Sequence, residues 1–236
     1  MPELRDHAAD LPALHFPDAD ERVMREPGRR MRSHLLDIAT PLFSTRGLAA
    51  VSVSEIARDA GAFPSQVTHY FRSKEALFVE AACREILYTG QQAEEAAAAS
   101  LNLSAYALAL VTSVVASAGL ALFIEALVLS RRRQDLAPLI ERTLKRLHAE
   151  GDRAYGAVRD ARGWPHDADP ALRARRFWAL ALGCVLRGAA TGSSQKDCAT
   201  DMLALLLDSD AFATPAAVSP RLFAVISHTP VSRTPS

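Results

Sequence analysis

Residues 52–78, SVSEIARDAGAFPSQVTHYFRSKEALF, decide the fold, because three helix starts follow one another within this stretch. Ser52 precedes an acid by three residues, the pairing in which each side chain satisfies a free backbone donor at a helix N-terminus. Gly61 ends that helix, since glycine adopts the left-handed conformation at little cost. Pro64 suits the first position of a second helix, where its missing N–H would have no acceptor. Ser73 caps a third. The pattern predicts two short helices joined by a tight turn and then a longer helix.

The second of these helices has a polar outward face. Its inward side is supplied by Val67, Tyr70 and Phe71, which leaves four residues pointing outward: Ser65, Gln66, Thr68 and His69. Those side chains can hydrogen-bond base edges or phosphates, and a face without Leu or Val suits a helix lying in the major groove. The stretch therefore predicts a helix-turn-helix that binds DNA.

Two kinds of DNA contact are expected from this surface. We expect Gln66 and His69 to face base edges, with a merely solvated Gln66 as the alternative. The residues expected to contact phosphates lie on outward faces or at helix N-termini: Ser52, Thr68, Tyr70 and Lys74. A cation at the positive end of a helix dipole is unfavourable, which favours an external phosphate over a role of Lys74 in helix stability.

Residues 35–77, LLDIATPLFSTRGLAAVSVSEIARDAGAFPSQVTHYFRSKEAL, resemble the N-terminal DNA-binding domain of tetracycline-repressor-like (TetR) regulators. The residues that match at the family's spacing are Ile38, Ala39, Leu42, Phe43, Gly47, Ser52, Ile56, Ala57, Ala60, Gly61, Val67, Phe71, Ser73, Lys74 and Leu77. The resemblance implies an all-α fold, with an N-terminal three-helix helix-turn-helix domain and a C-terminal helical domain for ligand binding and dimerisation. The sequence departs from the family at Phe63, where a small polar cap is usual, and at Thr68, where a phosphate-contacting Tyr is usual.

Charge is distributed unevenly along the 236 residues. The whole chain carries 27 basic and 27 acidic residues, so it is not a polycation that binds nucleic acid indiscriminately. Residues 29–74 carry seven Lys or Arg against three acids, which is the electrostatic footprint expected of a DNA-binding face. Within it, Arg29, Arg30 and Arg32 either contact the minor groove or form a solvated helix start.

Composition predicts four segments. The first is rich in proline and acids and the last is rich in proline, so both are expected to be disordered. The segments are a leader at 1–28, the helix-turn-helix domain at 29–90, a regulatory and dimerisation domain at 91–208, and a tail at 209–236.

Residues 105–124, AYALALVTSVVASAGLALFI, form an uncharged run of about the length of a membrane helix. The many Ala, Ser, Thr and Gly residues make its transfer into lipid marginal, and Gly119 interrupts it. We therefore expect two buried core helices and no membrane association.

The stretch 171–190 is apolar around most of its helical circumference, which predicts burial on more than one side. A short reading helix covers few base pairs, so two copies on a palindromic site are expected. The predicted homodimer interface comprises Phe177, Ala181, Leu182, Val185 and Leu186, together with the helix at 202–207. The alternative is that these residues serve only the internal core.

A small-molecule site is predicted in the regulatory half. Its candidate residues combine apolar walls with a few polar groups: Val111, Thr112, Val115, Phe123, Glu125 and Trp178. A carboxylate that follows an apolar run must be paired, hydrogen-bonded or protonated if it is buried. Glu125 therefore either anchors a polar or cationic group of the effector, or turns to the surface or pairs with an arginine such as Arg187.

Other functional classes lack their sequence signatures. Cys83, Cys184 and Cys198 form no CxxC pair and no His/Cys spacing, so we expect buried thiols, with a redox-sensing thiol as the alternative, and a reducing cytoplasmic setting, no metal and no cofactor. The chain contains no GxxxxGK[ST], GxGxxG, GxSxG or HExxH motif, so an enzyme is not predicted. The sequence predicts a homodimeric repressor that binds a palindromic DNA operator and is released by a small apolar or amphipathic effector. The rival is a constitutive DNA-binding regulator without a ligand.

Overall fold

The computed structural model describes residues 26–165 and 169–207, and the regular structure in those residues is entirely helical. A short 3-10 helix at Gln134–Leu136 precedes the seventh α-helix. The α-helices of the described residues are α1 (Glu26–Ala50), α2 (Val53–Asp59), α3 (Pro64–Phe71), α4 (Lys74–Ala97), α5 (Leu103–Val115), α6 (Ala118–Ser130), α7 (Ala137–Arg162), α8 (Pro170–Thr191) and α9 (Gln195–Leu207).

The helix starts of the N-terminal domain lie where the sequence predicts them. The Ser52 hydroxyl accepts the N–H of Glu55 at 3.1 Å, and the Ser73 hydroxyl accepts the N–H of Ala76 at 3.1 Å. Gly61 follows α2 with a φ of +60°, a conformation that costs glycine little. The helix-turn-helix prediction is confirmed at the level of its backbone.

The first helix starts earlier than predicted. It begins at Glu26, inside the segment 1–28 predicted as a disordered leader, and Gly47 breaks it with φ 73° and ψ 167°, a conformation essentially restricted to glycine. The remaining leader at 1–25 and the predicted tail lie outside the described residues.

Helix α4 is the central element and joins the two halves of the molecule. It packs against α1 and α3 on the DNA side and against α5, α6 and α7 on the regulatory side. The domain boundary predicted at residues 90 and 91 lies inside this unbroken helix, because the following Ala- and Glu-rich residues are good helix formers. One hydrophobic core runs from Phe43 and Phe78 through to Phe123 and Met202.

The apolar run at 105–124 forms two helices, as expected. The break falls at Ala116 and Ser117, and the Ser117 hydroxyl accepts the N–H of Leu120 to start α6. Among the described residues, no single helix is both long and apolar enough to cross a membrane; α5 and α6 reach that length only as a pair, bent by 64°.

The three cysteines are buried as free thiols, which confirms their prediction as small buried residues. Burial raises the pKa of Cys83 to about 12, because the apolar surroundings disfavour the thiolate. An inert structural role follows for this residue.

Candidate DNA-binding surface and regulatory core

Arg32 on α1 contacts both α3 and α4. Val67 and Phe71 are buried beneath α3, and the guanidinium of Arg32 lies 5.0 Å from the centre of the Phe71 ring. The same guanidinium forms an ion pair with Glu80 on α4, with 2.6 Å between Nη2 and Oε2. The position of α3 is thereby tied to both α1 and α4.

The outward face of α3 carries three of the predicted DNA-binding residues. Ser65, Thr68 and His69 are exposed on it. The Thr68 hydroxyl donates to the carbonyl of Pro64 at 3.2 Å, and the His69 ring lies edge-on to Tyr70 with 5.1 Å between centroids. Tyr70 is half-buried and packs on the core, so only part of its side chain is available to DNA.

Gln66 is less available than the sequence suggests. Its Oε1 accepts the backbone N–H of Phe63 at 2.9 Å and so caps the start of α3. Bidentate recognition of adenine needs both the oxygen and the nitrogen of a glutamine amide. While Gln66 caps the helix, only its Nε2 remains to contact a base.

Phe63 is the residue of this surface that sequence reasoning did not assign to DNA. It stands at the start of α3 with 74% of its surface exposed. The sequence did mark this position as unusual, because TetR-like regulators usually have a small polar cap residue where Phe63 stands. Because the first residues of a reading helix contact base edges, an aromatic ring here belongs to the candidate interface.

Lys74 has a structural role that its position in the sequence did not predict. Its Nζ donates to the carbonyl oxygens of Leu48 and Val51, at 2.8 and 2.9 Å, and so ties α4 to the connection between α1 and α2. The expectation that Lys74 does not stabilise the fold is therefore wrong, whereas its contact with a phosphate stays a prediction. One of the three ammonium donors remains beyond these two bonds.

Several cations of the basic segment are already paired. Arg29 and Arg30 contact Glu26, Arg46 contacts Glu55, and Arg58 contacts Asp59. The guanidinium of Arg46 lowers the pKa of Glu55, chiefly through its hydrogen bond to that carboxylate. The excess positive charge remains, but these arginines share it with neighbouring acids.

The predicted dimer residues divide between the surface and the core of the protomer. Leu186 is 50% exposed on α8, and Leu182 and Val185 are half-buried. Phe177 is half-buried and packs edge-to-face on a neighbouring ring. Ala181 is fully buried inside the protomer, so the prediction that it lies in the dimer interface is wrong.

Exposed apolar side chains continue from α8 onto α9, where Leu205 and Leu207 are exposed. Arg187 on α8 forms an ion pair with Asp201 on α9, so it is not the partner of Glu125. A Cβ added at Gly183 would meet no atom within 4 Å, which leaves room there for a second helix.

The predicted effector residues do not converge on one cavity. Val111, Val115, Phe123 and Trp178 are buried in the core, whereas Thr112 and Glu125 are exposed. The surface alternative therefore holds for Glu125, whose carboxylate needs no buried partner. It lines an open groove between α6 and α8 instead.

Glu94 on α4 is a partly buried carboxylate of the regulatory half. Its pKa is raised to about 7, chiefly by burial and then by the charge of Glu150 on α7, while the charge of Arg153 lowers it. The sequence could have indicated this burial, because Glu94 lies eight residues after Ile86 and four after Gly90 on α4, and residues at this spacing share one face of a helix. A partly buried carboxyl with a perturbed pKa is a functional-site candidate.

Two family models match the chain. Residues 35–81 match the model described as bacterial regulatory proteins, tetR family, and residues 103–207 match the model described as bacterial transcriptional repressor C-terminal. A solved structure from Rhodococcus sp. RHA1, described as a transcriptional regulator, is 34% identical with a TM-score of 0.67, over 75% of this chain and 95% of that one. The chain belongs to the TetR family of transcriptional regulators, a family of DNA-binding proteins and not of enzymes.

Curated relatives match over a part of their length. The HTH-type transcriptional regulator BetI of Rhizobium meliloti is 42% identical over 78 residues, which are 33% of this chain and 36% of that protein. The HTH-type transcriptional repressor KstR2 of Rhodococcus jostii is 44% identical over 64 residues, 27% of this chain and 30% of that protein. The chain therefore spans only about a third of the length of each of these relatives.

Proposed function

We propose that this TetR-family protein is a homodimeric repressor that binds a palindromic DNA operator and is released by a small molecule. The observation that carries the DNA-binding part is the exposed face of α3 with Ser65, Thr68 and His69, fixed in place by the contacts of Arg32 with Phe71 and Glu80. The word repressor in the description of the C-terminal family model supports repression.

Within this proposal, His69, Thr68 and Ser65 contact the major groove, and Ser52, Tyr70 and Lys74 contact phosphates. Gln66 contributes its Nε2 to a base while its oxygen caps the helix. Phe63 packs against a thymine methyl group, the base substituent that suits an exposed aromatic ring. A surface with both apolar and hydrogen-bonding side chains can discriminate all four base pairs.

Dimerisation supplies the second half-site. The exposed surfaces of α8 and α9 carry Leu186, Leu205 and Leu207 beside the open space at Gly183, which suits close packing of helices from two copies. Leu186→Arg should then give folded monomers that lose operator affinity. The matched control is Leu108→Arg, at an equally exposed leucine on α5, which should leave dimers intact.

For the effector, we infer that Glu94 replaces Glu125 as the polar anchor. Trp178 lies against Gly90, which is one turn before Glu94 on α4: its Cζ2 would be 3.3 Å from a Cβ added at Gly90. An effector with a cationic or hydrogen-bond-donating group would enter between α4, α7 and α8 and bind Glu94. Its preference for one spacing of the two reading helices would lower operator affinity.

The rival function is constitutive DNA binding without a ligand. It is favoured by the dense packing of the predicted pocket residues, since Val111 and Phe123 are wholly enclosed. Thermal-shift screening of the full chain against apolar and amphipathic amines, alcohols and acids, followed by operator-release assays, separates the two. A compound that stabilises the protein and releases DNA supports the proposed function, and an inert screen supports the rival.

A further inference from the structure

An open groove of about 530 Å³ lies between α6 and α8. Val128 is 51% exposed in it, and Leu186 on the opposite wall is 50% exposed. Seven apolar and two charged residues line the groove: Ala121, Ile124, Glu125, Val128, Leu129, Arg132, Val185, Leu186 and Ala189. Contiguous exposed apolar surface of this kind marks an interaction site.

The two charged residues of the groove lie along its α6 side, Glu125 within the helix and Arg132 two residues past its end at Ser130. Glu125 and Arg132 are seven residues apart, about two helical turns, and both are exposed. Neither has an ion-pair partner among the described residues. Two nearby cations differ in this respect, since Arg133 contacts Glu75 and Asp135 and Arg187 contacts Asp201.

An acid and a base separated along one apolar wall are complementary to the same wall of a second copy rotated by 180° about a two-fold axis. If two copies of α6 cross antiparallel about a two-fold axis, each acid meets the other copy's base, as an isologous interface requires. Val128, near the middle of the wall, would then lie at the axis. No second protein is needed to satisfy both charges.

We propose that the α6 groove is part of the interface between two copies of this chain, with Glu125 of each copy paired with Arg132 of the partner subunit. This inference rests on the proposed homodimer and names an interface element that α8 and α9 do not supply. The groove is continuous with their face, because Leu186 belongs to both. The ion pairs fix the register of the two copies, and the apolar wall supplies the buried area.

The test is a charge-swap series on the full chain, measured by sedimentation velocity over a range of concentrations. Glu125→Arg and Arg132→Glu each place like charges together at two points of the dimer, so each should raise the dimer Kd at least tenfold. The double variant should return the Kd to within about threefold of wild type. The matched control, Glu141→Arg, changes an exposed acid on α7 and should have no effect.

The outcomes separate this inference from the proposed function. Wild-type monomers at every concentration would contradict the homodimer itself. If Leu186→Arg dissociates the dimer but neither charge reversal weakens it, the α6 pairing alone is overturned. The pairing is also overturned if the single charge reversals weaken the dimer and the double variant does not restore its Kd. If a reversal prevents folding, Glu125→Gln and Arg132→Gln serve instead, and an unchanged salt dependence of the dimer Kd in both overturns the pairing.

Discussion

The Arg32 guanidinium and the Glu80 carboxylate form an ion pair in which the two side chains are only 11% and 10% exposed. Because Arg32 also covers the Phe71 ring, this pair joins α1, α3 and α4 in one contact network. Breaking a buried pair leaves one charge without compensation, at a cost of about 3 to 5 kcal/mol.

We therefore expect Glu80→Gln and Arg32→Met each to lower the free energy of unfolding by about 3 kcal/mol or more in urea titrations. Replacing both residues by apolar ones should cost much less than either single change. The control is Lys145→Met, which removes an exposed pair with Glu141 and should shift stability by less than about 1 kcal/mol. Additive losses in the double variant would contradict the pairing.

Lys74→Met should affect both folding and DNA binding. Removing the ammonium leaves the carbonyls of Leu48 and Val51 without their donor, a loss of about 1 to 3 kcal/mol in the free energy of unfolding. If the remaining donor contacts a phosphate, the salt slope of operator binding falls by about one per protomer. Unfolding curves and salt titrations measure these effects separately, and a full salt slope in the variant would remove Lys74 from the phosphate contacts.

Phe63→Ala should remove the recognition of a thymine methyl group. Replacing thymine by uracil in the operator deletes only that methyl, which should weaken wild-type binding by about 1 kcal/mol at one position in each half-site. The variant should bind both operators equally. Leu101→Ala, at another highly exposed apolar residue, should retain the wild-type preference. A wild-type protein indifferent to every thymine-to-uracil change would refute this role.

Glu94 should make stability depend on pH. Its pKa is about 7 in the folded protein against an ordinary value of 4.5, so the folded state binds more protons between these values. The free energy of unfolding therefore falls as pH rises through this window. Glu94→Gln should flatten this dependence and be more stable than wild type at pH 8, by about 1 to 2 kcal/mol after allowance for solvent screening. Parallel pH profiles of the two proteins would show that the carboxyl titrates normally.

The backbone of the DNA-binding half was predictable because its signals are local. Ser52, Gly61, Pro64 and Ser73 each act within four residues of their own position, so their spacing determines where the helices begin and end. The continuity of α4 was less predictable, since an Ala- and Glu-rich segment suits both a linker and a helix.

The partners of individual side chains were predicted less well. Lys74 donates to carbonyls 23 and 26 residues earlier, and no spacing rule connects such positions. Likewise, whether Glu94 or Glu125 is buried depends on the rotation of α4 and α6 against their neighbours. An apolar run predicts that a helix is buried, but the tertiary packing determines which of its residues remain on the surface.

The central claim is that two copies of this chain read one palindromic DNA site. The most direct measurement is selection of bound sequences from a random duplex library with the full chain, followed by determination of the protein-to-DNA stoichiometry on the enriched sequence. The account predicts an inverted repeat whose half-site centres lie about one helical turn, or a multiple of it, apart, bound by at least two protomers. Enrichment of an asymmetric site bound by a single protomer, or no enrichment at all, would contradict it.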